Sequence, residues 1–159
     1  MSTSAAARRT VQLPSGPVLV GAVYAVCVLG LIAVFTAQII FSDEDPHRSQ
    51  GPIESIVSVS IFGTVALIVG VALAVVLRRT RERAGVGALV LVALAVVSLV
   101  LFWAGAPGIL GACAAWCAGL TRGAHPLGGA ARVAGIIGAF LALLNLVLSV
   151  GGVLVGAAT

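Results

Sequence analysis

The stretch Pro107-Gly-Ile-Leu-Gly-Ala-Cys-Ala-Ala-Trp-Cys-Ala-Gly-Leu-Thr121 decides the fold. It is apolar throughout, yet its 15 residues reach only about 22 Å as a helix, short of the roughly 30 Å hydrocarbon core of a bilayer. Whether it crosses sets the number of spans and the side on which everything after it lies.

The segments around it leave no such choice. Pro17–Phe41 and Ile53–Leu77 each run 25 residues, the second with Glu54 at its mouth, while Ala84–Ala106 runs 23 and Val133–Ala158 runs 26. Each is long enough to span as a helix. Arg8 and Arg9 ahead of the first look like a twin-arginine signal. That run is too long for a signal h-region, however, and no A-x-A cleavage site follows it, so it is read as a retained helix.

Composition points the same way. Of 159 residues, 60% are apolar and 9% charged, with a mean hydropathy of +1.21. A soluble domain carries roughly 45–50% apolar and about 25% charged residues. A soluble enzyme, a disordered tail and a nucleic-acid reader are excluded. All nine basic residues are Arg, so the net charge of +4 calls for a positional explanation.

Five crossings with the N-terminus inside place Arg8, Arg9, Arg78, Arg79, Arg81, Arg83, Arg122 and Arg132 on the cytoplasmic side and only Arg48 outside. Without a crossing at 107–121, Arg122 and Arg132 move outside and the split falls from eight against one to six against three. The positive-inside rule favours five. The expected fold is an all-α membrane helix bundle, a single domain over 1–159 with spans near 17–41, 53–77, 84–106, 107–121 and 133–158. The expected location is a cell membrane, with the N-terminus cytoplasmic and the C-terminus outside. Four spans plus a re-entrant segment is the alternative. The connections are short, with Ala106-Pro107-Gly108 expected as a tight outer turn.

Helices in lipid associate through close packing, which small residues four apart allow. Ala66, Gly70 and Ala74 form one such stripe, Gly111, Ala115 and Gly119 a second, and Gly152 and Gly156 a literal GxxxG in the last span. These are the expected packing faces, within the chain or against a partner.

Chemistry-bearing residues are sparse. No ionisable group lies inside a span, although such groups are the usual mark of transport or proton relay. Glu54 suits a helix N-terminus. Asp43, Glu44 and Asp45 form an acidic outer loop, and Arg78, Arg79, Arg81 and Arg83 a basic inner cluster. Both are candidates for partner contact, the Arg cluster also for anionic lipid. His47 and His125 lie in loops on opposite sides, which argues against haem, and their spacing from the cysteines makes no zinc site. No cofactor is expected. Cys113 and Cys117 are four apart on one helix face, a spacing unlike C-x-x-C and poor for a disulfide, so packing is the expected role, as for Cys27. Among uncharged polar groups, Gln38 and Asn145 are expected as interhelical glue. The remaining Ser and Thr residues are too few to suggest a polar stripe on any helix.

Gly108-Ile-Leu-Gly-Ala-Cys-Ala and Gly129-Ala-Ala-Arg132-Val-Ala-Gly135-Ile-Ile-Gly138 resemble the Gly-rich hairpin of small membrane domains from actinobacteria and other Gram-positive bacteria. The resemblance covers less than half of the chain and implies a short helical hairpin, but no activity. The Arg-without-Lys, Ala/Gly/Val-rich usage also looks actinobacterial. The expectation is a non-enzymatic accessory or structural subunit of a larger integral membrane complex, respiratory or envelope-lipid in kind. A small oligomeric transporter or channel is the first alternative. A thiol oxidoreductase using Cys113 and Cys117 is the second.

Overall fold

The computed structural model describes residues 13–41 and 51–158, and every regular element among them is helical. In chain order these are α1 (Gly16–Tyr24), a π-helical turn (Ala25–Leu29), α2 (Gly30–Phe41), α3 (Pro52–Leu77), α4 (Arg81–Val97), a 3-10 segment (Ser98–Ala104), α5 (Ala106–Cys117) and α6 (Gly129–Ala158). Four stretches are long and apolar enough to cross a membrane: Gly16–Ala37, Ile53–Leu77, Arg81–Ala104 and Gly129–Gly152. With the shorter apolar α5 they make a membrane helix bundle.

Local chemistry sets the boundaries. Pro52 opens α3 in the first turn, where its missing N–H costs nothing, and Glu54 falls in the same turn, where the helix dipole favours negative charge. The Thr80 hydroxyl caps α4 by accepting from the Arg83 N–H at 3.3 Å. α4 gives way to the 3-10 segment, which kinks at Leu101 (φ −105°, ψ 31°). The reversal itself falls on Gly105, whose φ of +74° excludes most side chains, and Pro107 then starts α5. The expected turn at 106–108 is therefore displaced: Pro107 and Gly108 already belong to the helix. α5 ends in a Schellman motif, with Gly119 at φ +75° donating to the Trp116 carbonyl and Leu120 to that of Ala115. Gly119 thus terminates the helix and, itself buried, packs closely against the His125–Pro126 backbone of the following loop.

α5 is the hub. Every residue from Ala106 to Cys117 is buried, enclosed by α1, α3, α4 and α6. Close approaches fix its height. Gly63 of α3 lies beside the Ala104 carbonyl, Gly70 beside Cys113, and the Cys117 thiol reaches the Ala74 carbonyl at 3.9 Å. Across the core Gly111 faces Gly138 backbone to backbone, and Gly87 of α4 lies against Leu77 and Cys117. The π turn buries the adjacent Cys27 and Val28 against Gly105 and Gly63. The stripe Ala66, Gly70, Ala74 and the residues Gly111 and Ala115 are all buried within this chain.

α5 also brings the chain back to the end where Arg78 stands. The Arg78 guanidinium lies over the Trp116 ring at 4.6 Å, Gly16 abuts the same indole, and the Arg122 N–H donates to the Pro14 carbonyl at 3.0 Å. Arg78, Arg122 and the start of α1 therefore share one end, as the arrangement with a returning fifth segment requires. The last helix begins four residues earlier than the expected span, at Gly129.

Candidate functional site

The 12 residues of α5 extend about 18 Å, whereas α3 starts about 16 Å before Gly63, the residue level with the hairpin turn. Beyond that turn the bundle continues as α2, the first half of α3 and the last part of α6. These elements enclose a half-open cleft of about 670 Å³, lined by none of the residues of α4 or α5.

α2 contributes Leu31, Val34 and Phe35 to the cleft, and α3 contributes Ser55, Ser58, Val59 and Phe62. α6 contributes Asn145, Leu148, Ser149 and Gly152, and the 3-10 segment supplies Phe102 and Trp103. The Phe62 and Trp103 rings meet edge to face, with centroids 5.7 Å apart. All these lining side chains are uncharged. Ser55 spends its hydroxyl on the Gly51 carbonyl at 3.3 Å.

Asn145 marks the deep end. It is 4% exposed, and its Nδ2 donates to the Phe102 carbonyl at 3.0 Å. Because that partner is a carbonyl, the amide can face only one way. Its Oδ1 lies against Gly108 and has no hydrogen-bond partner among the described residues. A buried acceptor left in that state costs about 1–3 kcal/mol, which marks the position as one that would gain from a donor.

Other polar side chains serve the helices. Tyr24 and Thr64 share a hydrogen bond of 3.1 Å between α1 and α3. The hydroxyls of Thr36, Ser60 and Ser98 return to carbonyls of their own helices. Cys27, Cys113 and Cys117 are buried thiols.

The Arg-bearing end is an ordered surface. The loop after α5 is tied back by Leu127 donating to the Ala118 carbonyl. Arg78, Arg79, Arg81, Arg83, Arg122 and Arg132 are all exposed. The acidic residues Asp43, Glu44 and Asp45 lie outside the described residues, as does His47. Gly152 is exposed with open space beside it, so among the described residues this half of the GxxxG makes no packing contact; the side chain of Gln38 and the surroundings of Gly156 lie outside the described part.

The sequence reading picked out Asn145 but missed the set that surrounds it. Ser55 and Ser58 are three apart on α3, and Asn145 and Ser149 four apart on α6, so each pair shares a helix face. A polar track is therefore built between two helices, where a search along single helices finds too little. No protein-family model, curated protein or solved structure matches the chain.

Proposed function

We propose that the chain is a non-catalytic accessory subunit of a larger membrane assembly, oriented with its Arg-bearing end in the cytoplasm and its C-terminus on the far side. The observation that carries this reading is the ordered basic face. Six exposed Arg side chains stand on a surface held by the Arg78–Trp116 stack and the Arg122–Pro14 and Leu127–Ala118 backbone bonds. A pre-arranged charged rim suits an acidic partner surface or anionic headgroups, because little further ordering is needed on contact. The buried thiols support a packing role over redox exchange, which needs an accessible thiolate.

Photo-crosslinkers placed at Arg79 and Arg132 in cells test the reading. A discrete crosslinked protein partner, lost when Arg79, Arg81 and Arg83 are replaced by Gln, is the expected result. Absence of any partner, with the chain running as a monodisperse monomer in mild detergent, overturns it. Orientation is tested by impermeant labelling of single cysteines at Ser2, His125 and Thr159, with only Thr159 expected to react in intact cells.

The cleft favours a second reading, a small transporter. Its polar track gives a solute somewhere to bind, but α5 closes the base, so transport would require the hub to move. Saturable flux in liposomes, lost on substitution of Asn145, would place this reading first.

A further inference from the structure

We infer that the furrow between α1 and α3 at the Arg-bearing end is a binding site for an anionic phospholipid. Arg78 and Arg122 hold its phosphate, and an acyl chain lies between the two helices. This deepens the reading of the basic face given above and rests on that end's lying at a membrane surface, but it needs no protein partner.

The Tyr24–Thr64 hydrogen bond of 3.1 Å fixes which faces of α1 and α3 look at each other. Helical spacing puts Pro17 and Gly21 on the Tyr24 side of α1, and Leu67, Val71 and Arg78 on the Thr64 side of α3. Pro17 and Gly21 are exposed, with open space around Gly21, and Leu67 and Val71 are half-buried. The helices therefore close on each other at Tyr24 and leave a furrow that runs toward the Arg-bearing end. It measures about 12 Å along α1, from Tyr24 back to Gly16, and about 20 Å along α3, from Thr64 to Arg78. One leaflet of a roughly 30 Å hydrocarbon core is about 15 Å deep, so a chain from the leaflet at that end fits.

Two cations meet at the mouth of this furrow. The Arg78 guanidinium lies 4.6 Å over the Trp116 ring, and Gly16 at the start of α1 abuts the same indole. The Arg122 N–H bond to the Pro14 carbonyl, 3.0 Å, holds Arg122 at that helix start too. Stacking occupies the flat face of the Arg78 guanidinium and leaves its N–H edge free for phosphate oxygens. Only Glu54 and Glu82 are acidic among the described residues. Glu54 is at the opposite end of α3, and Glu82 is on α4, which packs against α3 at Leu77 rather than along the furrow.

The two halves of the site select the occupant together. An acidic protein surface resting on this end would satisfy the Arg pair but leave the apolar furrow beneath it unused. A zwitterionic lipid would fill the furrow but bring an ammonium group toward two guanidinium groups. An anionic phospholipid matches both halves.

The test uses the full-length chain carrying Trp103→Phe, which leaves Trp116 as the only tryptophan. Phosphatidylcholine nanodiscs receive increasing amounts of brominated phosphatidylglycerol or of brominated phosphatidylcholine, and quenching of Trp116 fluorescence is read. Phosphatidylglycerol should reach half-maximal quenching at a mole fraction at least threefold lower than phosphatidylcholine. The ratio between the two lipids cancels any change that a substitution makes in the Trp116 emission itself. Arg78→Gln and Arg122→Gln should each bring that ratio below twofold. Arg83→Gln, the same loss of charge on α4, should leave it at threefold or more. Gly21→Leu adds a side chain in the open space of the furrow and should weaken quenching by both lipids. Equal quenching by the two lipids would overturn the assignment and leave the Arg pair to a protein partner, which the crosslinks at Arg79 and Arg132 detect independently. A preference that survives Arg78→Gln and Arg122→Gln, or that Arg83→Gln removes equally, would overturn it as well. So would unchanged quenching in Gly21→Leu.

Discussion

Replacing Gly138 with Ala tests the hub directly. A Cβ at that position would lie 2.6 Å from the Gly111 carbonyl oxygen and 2.9 Å from the Ala114 Cβ. The first obstacle is backbone, so no rotamer change relieves it. Restoring a carbon–oxygen contact of about 3.3 Å moves the two helices apart by about 0.7 Å. Facing turns of small residues make on the order of 30 atom-pair contacts worth about 0.1–0.2 kcal/mol each, and a gap of that width forfeits a quarter to a half of each. The packing loss is about 1–2 kcal/mol. Ala also gains about 1 kcal/mol over Gly from helix propensity, so the raw change in stability is small and misleading. Gly21→Ala supplies the correction: it has the same propensity gain and nothing within 4 Å of the new methyl group. Unfolding by SDS titration in detergent micelles, followed by circular dichroism, should place Gly138→Ala about 1–2 kcal/mol below Gly21→Ala. Two variants within about 0.5 kcal/mol of each other would refute the backbone contact between α5 and α6, and with it the central place of α5.

The remaining expectations follow from the same contacts. Cys113 and Cys117, 0% and 2% exposed, should resist maleimide in the folded protein and react once SDS has unfolded it. Trp116→Ala should cost about 3–5 kcal/mol by the same titration, because the indole fills the space between Gly16 and the end of α5. Arg78→Ala should cost about 0.5–1 kcal/mol, since only an exposed stacking contact is lost. Asn145→Leu should be nearly neutral and cost no more than about 1.7 kcal/mol, because loss of the bond to the Phe102 carbonyl is offset by removal of the unpaired Oδ1. The Phe102 carbonyl keeps the Gly105 N–H at 3.1 Å, so no acceptor is orphaned by that change.

The helices were legible because membrane spans advertise themselves through length and hydropathy, and the return of α5 was legible through the charges at Arg122 and Arg132. The central position of α5 was harder to see, since every span here is apolar. Its signal lies in side-chain size. α3 and α6 carry small residues on one face and Ile, Val, Leu or Phe on the other, as helices with a lipid side do. In α5 the small residues Gly108, Gly111, Ala112, Cys113, Ala114, Ala115 and Cys117 go all the way round, which leaves no face for lipid. The π turn at Ala25–Leu29 has no comparable signature, because it answers to Gly105 and Gly63, residues distant in the chain. The cleft was illegible for a related reason: its polar groups come two to a helix, and only the register between α3 and α6 brings them together.

One cause lies behind the difference between the two ends of the molecule. A hub of small residues lets five segments converge at the Arg-bearing end, where Trp116, Arg78 and the returning loop close the base. The same hub is too short to fill the bundle along its length. Had α5 been a turn or two longer, its side chains would have occupied the space between Phe35, Phe62 and Ser149. Instead the chain reverses at Gly105, early enough to leave Phe102 and Trp103 facing open space. The walls of the space left open are mostly apolar, with Ser58, Asn145 and Ser149 among the residues that line it. The short helix that makes the Arg-bearing end compact is thus also what leaves the cleft open beyond it.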